Sequence, residues 1–126
     1  PASFLPAAGQ GALAVQGRAD DADVMALLTR LDEPSARQTT AAERAYLAEL
    51  GAGCRTPAGA YARLEDIRLH LQVMLADPDG RTVLREANSA DPHRAEQLGR
   101  DLARRILAAG GRAILQALPA AEEAKQ

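Results

Sequence analysis

The chain has 126 residues, of which 47% are hydrophobic and only 2% aromatic, and its formal net charge is −2. This length allows one domain with a small appendage, and the core must be aliphatic. The small net charge gives no electrostatic basis for binding nucleic acid or an anionic membrane. We expect neither a membrane span nor a signal peptide. The single cysteine excludes an intrachain disulfide and fits a reducing, cytoplasmic location.

Residues 1–18 read Pro-Ala-Ser-Phe-Leu-Pro-Ala-Ala-Gly-Gln-Gly-Ala-Leu-Ala-Val-Gln-Gly-Arg. Two prolines disfavour a helix at the start, and the glycine turn at 9–11 predicts a short strand over 12–16. The stretch 9–14 formally matches the dinucleotide fingerprint Gly-x-Gly-x-x-Ala. That fingerprint needs a strand before it and a helix after it. The flanking proline and glycine prevent both, so a nucleotide site is disfavoured.

A first helix is predicted after this segment. Asp20 or Asp21 can cap it, and apolar residues at i, i+3, i+4 and i+7 carry it to about Leu31. We expect Pro34 to end it.

A second helix is predicted to begin at a capping box, with Thr40 as the N-cap and Glu43 reaching back to its amide. Gly51 is a natural residue to end it. Five residues are expected to face the core: Ala42, Ala45, Tyr46, Leu47 and Leu50.

Residues 51–62 read Gly-Ala-Gly-Cys-Arg-Thr-Pro-Ala-Gly-Ala-Tyr-Ala and contain the cysteine, Cys54. Glycines before the sulfur, including Gly53, allow positive φ and close approach to a ligand. Pro57 directs the loop into an extended strand. The negative end of the preceding helix disfavours the thiolate, whereas Arg55 favours it. The loop is therefore a candidate attachment site, although a lone cysteine is more often a small buried hydrophobe.

Three strands are predicted after the loop. The first covers 58–64, and the second has the clearest period of two in the chain, with one buried face. A turn at 77–80, with Pro at its second and Gly at its fourth position, leads to a third strand over 81–87. The residues expected on the buried face of the second strand are Ile67, Leu69, Leu71, Val73 and Leu75.

A long helix is predicted next, capped by Asp91 with Pro92 at its first position and ended by glycines at 110–111. A short helical piece follows up to 118. The expected fold class is α+β, a three-stranded antiparallel sheet with helices packed on one face. The apolar stripe of the long helix is Ala95, Leu98, Leu102, Ile106 and Ala109.

Other candidates for chemistry are weak. We expect His70 and His93 to be solvated, because no second histidine, cysteine or nearby carboxylate completes a metal-ligand set. The arginines at 100, 104 and 105 are expected on the solvated face of the long helix. No metal site is predicted.

Three segments resemble the porphobilinogen deaminase (hydroxymethylbilane synthase) family. The cysteine loop is similar to the family pattern Gly-Gly-Gly-Cys-x-x-Pro-x-Gly-x-Tyr/His. Residues 5–15 resemble the family segment Pro-Ala-x-Gly-Gln-Gly-Ala, and 42–47 read Ala-Glu-Arg-Ala-Tyr-Leu, as is frequent in the family. The family usually continues the first of these segments with Ile-Glu-x-Arg, where this chain has Gln16 in place of the glutamate.

The resemblance implies that Cys54 carries a dipyrromethane cofactor through a thioether, with Gly53, Arg55 and Gln10 among the cofactor-binding residues. It implies condensation of four porphobilinogens to hydroxymethylbilane, with loss of ammonia, in tetrapyrrole (heme) biosynthesis. Porphobilinogen and the growing oligopyrrole are then the partners of the full enzyme. The family's catalytic aspartate and most of its arginines and lysines belong to two further domains. No carboxylate of this chain matches the catalytic one, so we expect the chain alone to be inactive.

The resemblance also divides the chain. Residues 1–18 are expected to be an inter-domain hinge segment, 19–38 a connecting helix and linker, 39–119 the cofactor-attachment domain and 120–126 a disordered tail. If 13–15 belong to a sheet whose other strands are absent, they should be disordered or pair with another copy in a strand-exchanged dimer.

Two alternatives stay open. The chain can be a non-catalytic binding or regulatory module in which Cys54 is an ordinary thiol, or a redox sensor in which that thiol is reactive.

Overall fold

The computed structural model describes residues 4–118, so the predicted tail at 120–126 lies outside the described residues. The helices are α1 (Ala22–Thr29), α2 (Pro34–Leu50), α3 (Ala95–Ile106) and α4 (Arg112–Ala117), and the strands are β1 (Ala58–Glu65), β2 (Arg68–Ala76) and β3 (Val83–Ala90). A 3₁₀ turn at Pro92–Arg94 precedes α3, and a π turn at Leu107–Gly111 links α3 to α4. The predicted α+β class is confirmed.

The strands form one antiparallel sheet in the order β1-β2-β3. Central β2 buries alternate residues as predicted: Leu69, Leu71, Val73 and Leu75. The prediction for Ile67 was wrong, because this residue lies in the two-residue turn between β1 and β2 and is 82% exposed. Asp66, beside it, has φ 53°, which ends the strand geometry before Ile67.

Helices α2 and α3 cover one face of the sheet, with α2 over β1, α3 over β3 and the two helices against each other. The β1 residues Ala60 and Ala62 are buried in the core between sheet and helices, and their small side chains let α2 come close. Gly99 of α3 lies so near α2 that an added Cβ would collide with the Ala42 carbonyl oxygen. The predicted arrangement of helices on one face is therefore confirmed.

Helix α2 begins earlier than predicted. Pro34 does not end a helix but occupies the first turn of α2, where a missing N–H costs nothing and the fixed φ suits the helix. Glu33 is the N-cap and accepts hydrogen bonds from the Ser35 hydroxyl and two backbone amides, which hold its pKa below the usual range. Thr40 lies inside the helix, where its hydroxyl donates to the Ala36 carbonyl. The predicted boundary at 38/39 falls within this helix.

Two other element ends differ from prediction. Strand β3 begins at Val83, since the amides of Arg81 and Thr82 donate to the Asp77 carboxylate and prolong the turn. Helix α3 ends at Ile106, and Ala109 is exposed and not part of the buried stripe, because the chain changes direction at Gly110 with φ 118°.

Of the two caps predicted for helix α1, the structure has Asp21, whose carboxylate accepts a hydrogen bond from the Val24 amide. The helix ends at Thr29 and buries none of its residues. The apolar side chains of α1 are therefore partly or largely exposed to solvent. Among the described residues, no helix is long and apolar enough to cross a membrane.

The N-terminal segment lies along the free edge of β1. Leu5 is buried and its side chain contacts the position of Gly59, on the face of the sheet opposite the helices. The Pro6 carbonyl accepts a hydrogen bond of 3.0 Å from the Ala60 amide. The predicted strand over 12–16 does not form between residues 4 and 18, and Leu13 is 97% exposed.

Candidate functional site

The cysteine loop begins where α2 ends in a left-handed residue. Gly51 has φ 70°, and the Ala52 amide donates 3.1 Å to the Leu47 carbonyl, which satisfies the end of the helix. The φ of Gly53, in contrast, is not positive. Of these two glycines, therefore, only Gly51 adopts the left-handed conformation. The helix end thus fixes the direction in which the loop leaves.

A tight turn from Gly53 to Thr56 presents the thiol. The Thr56 amide donates to the Gly53 carbonyl at 3.0 Å, and the Thr56 hydroxyl accepts from the Gly53 amide at 3.0 Å. Cys54 and Arg55 therefore occupy the two central positions of the turn. Both are exposed. The sequence placed the thiol in an accessible loop, and the structure confirms its exposure.

The loop is also joined to the sheet. The Ala58 amide donates 2.8 Å to the Thr56 carbonyl, and the Ala76 amide donates 2.9 Å to the Pro57 carbonyl. The turn therefore lies between two rigid elements, α2 and β1. An exposed sulfur on a short, doubly tethered turn can react with a ligand that approaches from solvent while its position stays defined.

Gln10 does not lie beside the thiol in this chain. It is exposed and lines a cavity of about 440 Å³ together with Thr39, Thr40, Glu43 and Tyr61, and Cys54 is not among the lining residues. Thr40 and Leu50, the last residue before the cysteine loop, are ten positions apart on α2, which corresponds to about 15 Å along the helix. The turn brings together three of the predicted site residues, Gly53, Cys54 and Arg55. Gln10 instead lines a cavity to which Cys54 does not contribute.

Sequence reasoning missed the role of Glu43. Its carboxylate is buried, with 7% exposure, and accepts 2.7 Å hydrogen bonds from the amides of Gly9 and Ala62. The capping-box prediction for this residue was wrong. The sequence feature that could have revealed this role is the position of Glu43 on the buried stripe of α2, one residue after Ala42 and three before Tyr46. A charged residue at a buried position requires hydrogen-bond partners.

No group of three or more metal-ligand side chains is found in residues 4–118. His70 is partly exposed and lies 3.7 Å from the Glu65 carboxylate, and His93 is exposed. An open cavity of about 590 Å³ is lined by His93, Arg94 and Arg100, among others, but by none of the predicted site residues.

Comparison with known proteins identifies the family. A sequence model described as porphobilinogen deaminase, C-terminal domain, matches residues 37–108. Curated proteins named porphobilinogen deaminase are similar over nearly the whole chain: one from Chromobacterium violaceum is 47% identical over 94% of the chain, and one from Nocardia farcinica is 44% identical over 97%. A third, from Roseiflexus castenholzii, is 46% identical over 91%. The chain spans 38% of the length of each. The chain therefore belongs to the porphobilinogen deaminase family, and its residues 37–108 correspond to the family's C-terminal domain.

Proposed function

We propose that this chain is the cofactor-carrying part of a porphobilinogen deaminase, a transferase that condenses four porphobilinogens to hydroxymethylbilane with loss of ammonia. The observation that carries the proposal is the chain's single cysteine, exposed at the centre of a tethered turn. Membership of the family gives that thiol its expected ligand, a dipyrromethane.

Cys54 supplies the nucleophile. A thiolate is soft and intrinsically nucleophilic, and a few per cent of an ordinary thiol is ionised near neutral pH. Attack on the methylene carbon of an aminomethylpyrrole forms a carbon–sulfur bond, the thiol loses its proton, and ammonia leaves. The thioether is stable, so the bound group can serve as a fixed primer. A reducing compartment such as the cytoplasm keeps the thiol available before attachment.

The loop fits such a group but holds it incompletely. Arg55 follows Cys54 at the second central position of the turn, and guanidinium groups pair well with the carboxylate arms that pyrroles of this pathway carry. Gly53 has no atom within 4 Å of an added Cβ, so space is open beside the attachment point. Dipyrromethane carries several carboxylates, and one arginine cannot balance them. The remaining donors must come from elsewhere in the enzyme, and Gln10 would join them only if other domains close over the loop.

We propose that 1–18 form an inter-domain hinge, that the residues from 19 to the start of α2 form a connecting helix and linker, and that the cofactor-attachment domain begins with α2, because a boundary at 38/39 would divide that helix. The exposed apolar residues support this division. Leu13, Val15, Leu27 and Leu31 are each at least 60% exposed, and α1 buries none of its residues. Two further domains in a longer protein would cover them.

Intact mass tests the proposal. Full-length protein from cells that make tetrapyrroles should carry the added mass of a dipyrromethane and give a coloured product with an aldehyde reagent for pyrroles. Cys54→Ser, which replaces one atom, should lose both the mass and the colour. An unmodified Cys54 that alkylates like a free thiol in cofactor-replete cells contradicts the proposal and favours a redox-sensing or ordinary thiol.

The 126-residue chain alone should be inactive. No carboxylate in it was matched to the family's catalytic aspartate, and the open turn offers few donors for substrate carboxylates. Incubation with porphobilinogen should give no hydroxymethylbilane above the buffer control. Turnover by the isolated chain would show that the reaction does not need the other domains.

A further inference from the structure

A buried carboxylate joins three parts of the chain that are distant in sequence. Glu43 lies on α2, its Oε2 accepts from the Gly9 amide, and its Oε1 accepts from the Ala62 amide of β1, both at 2.7 Å. Hydrogen bonds of this length to an ionised acceptor are among the strong ones in proteins. Each oxygen has one backbone donor, so the carboxylate is satisfied although it is nearly inaccessible to water.

The N-terminal segment is anchored to the domain before this contact and exposed to solvent after it. Up to Gly9 it is anchored, by the burial of Leu5 and by the hydrogen bond from the Ala60 amide to Pro6. From Gln10 to Gln16 every residue is exposed. Gly9 and Gly11 have φ of 76° and 79°, and both have open space where a Cβ would be. The last anchored point therefore directly precedes a turn that can change direction.

We propose that Glu43 is a positioning residue: its carboxylate clamps the chain at Gly9 to β1 and so fixes the point from which the second half of the proposed hinge, residues 10–18, leaves the domain. The direction in which residues 10–18 leave the cofactor-attachment domain is then set by α2 and β1. Because the cysteine loop lies between the same two elements, the clamp defines where the thiol stands relative to whatever the hinge connects. That last consequence rests on the proposed function, whereas the clamp does not.

The chemistry of the clamp needs a glutamate. Two N–H donors converge on the side chain, and only a carboxylate offers two acceptor oxygens. In Glu43→Gln one oxygen becomes an NH₂ group that faces a backbone donor, so one of the two bonds is lost. We expect the bond to Gly9 to be lost, since that amide is only partly buried and belongs to a turn, whereas Ala62 is held in a strand.

Amide hydrogen exchange on the 126-residue chain tests the clamp. Glu43→Gln should accelerate exchange at Gly9 by about ten- to a hundredfold, with β2 amides unchanged. The matched control is Glu49→Gln, the same substitution on the same helix, where the carboxylate bonds the Arg104 side chain at the surface. It should leave Gly9 unchanged. Equal exchange at Gly9 in the Glu43 variant and the unsubstituted chain would overturn the proposal.

A second measurement needs no variant and stands even if Glu43→Gln fails to fold. Hydrogen-bond scalar couplings should connect the amide nitrogens of Gly9 and Ala62 to the side-chain carboxyl carbon of Glu43 in the unsubstituted chain. If neither coupling is detected while those of the β-ladder are, no clamp exists.

The consequence for the reaction is measured on full-length enzyme. Glu43→Gln should lower kcat by about ten- to a hundredfold, as small misplacements of reacting groups do, with KM for porphobilinogen little changed. Rates are normalised to bound pyrrole chromophore, so that a smaller folded fraction of the variant does not lower the measured kcat. An unchanged normalised kcat refutes the role in the reaction. If no chromophore is present in the unsubstituted protein, the proposed function fails instead, and the exchange result is unaffected.

Discussion

The hydroxyl of Tyr46 donates a hydrogen bond to the carbonyl oxygen of Met74 over 2.9 Å, which joins the C-terminal half of α2 to the central strand of the sheet. The β1 residues that share the core with the Tyr46 ring, Ala60 and Ala62, have small side chains, which lets the ring come close to β2. Tyr46 is fully buried, so its ring and its hydroxyl both contribute to the contact between the helix layer and the sheet.

Replacing Tyr46 with phenylalanine should lower the free energy of unfolding by about 1 kcal/mol, the usual net value of one buried hydrogen bond. The ring and its packing are retained, so the loss reports the hydroxyl alone. Urea denaturation followed by circular dichroism measures it. A variant as stable as the parent would mean that the hydrogen bond from Tyr46 to the Met74 carbonyl does not contribute to the free energy of unfolding.

Alkaline pH should destabilise the fold through the same residue. Burial raises the pKa of the Tyr46 hydroxyl well above its ordinary value. In the unfolded chain the hydroxyl ionises near pH 10, whereas in the folded chain it stays neutral. The stabilising contribution is therefore complete below pH 10 and is lost as the pH rises above it, with a slope of up to about 1.4 kcal/mol per pH unit. Denaturation series at rising pH should show this slope in the parent and a smaller one in Tyr46→Phe.

The contact between α2 and α3 depends on Gly99. An added Cβ there would collide with the Ala42 carbonyl oxygen and lie 2.8 Å from the Tyr46 amide nitrogen, both of them backbone atoms. Gly99→Ala should therefore force the helices apart and cost about 1–3 kcal/mol or more. Gly53→Ala is the matched control, since nothing lies within 4 Å of its Cβ and its φ is not positive. Thermal unfolding that is equal in both variants would contradict the close packing.

Features of the fold that have a local physical cause could be predicted from the sequence. The alternation of Leu69 and its neighbours in β2, the left-handed Gly51 and the Asp21 cap each follow from one residue type in one spacing, and each was confirmed. The exposed turn around Cys54 was likewise predictable, because glycines and a proline surround a sulfur that has no apolar neighbours in sequence.

What failed depended on contacts across the fold. Thr40 and Glu43 satisfy the capping-box spacing, but Glu43 is needed by the amides of Gly9 and Ala62, 34 and 19 positions away. Pro34 is compatible with both the end and the start of a helix, and the Glu33 cap decides in favour of the start. The cavity that Gln10 lines was not predictable either, since it depends on where the N-terminal segment meets α2; cofactor binding by Gln10 stays a prediction.

The side chain of Thr56 should hold the cysteine turn closed. Thr56→Val keeps the shape and removes the hydroxyl that accepts from the Gly53 amide. We expect exchange at Gly53 to rise about three- to tenfold, as one hydrogen bond of ordinary strength would give. Thr56→Ser retains the hydroxyl and should behave like the parent. If the serine and valine variants exchange at the same rate, the hydroxyl does not stabilise the turn.

The isolated chain should self-associate through residues 13–15. Leu13 and Val15 are 97% and 64% exposed, and no strand of the described sheet pairs with them, so their backbone groups can pair with a second copy. Light scattering after size exclusion should show dimer that increases with concentration. Val15→Pro removes one backbone donor and should give monomer. Ile67→Ser is the control, because it removes a similarly exposed apolar side chain from the β1–β2 turn, where both neighbouring strands are already paired, and its dimer should persist. A monomer at every concentration would show that the apolar residues of this segment do not bring two chains together.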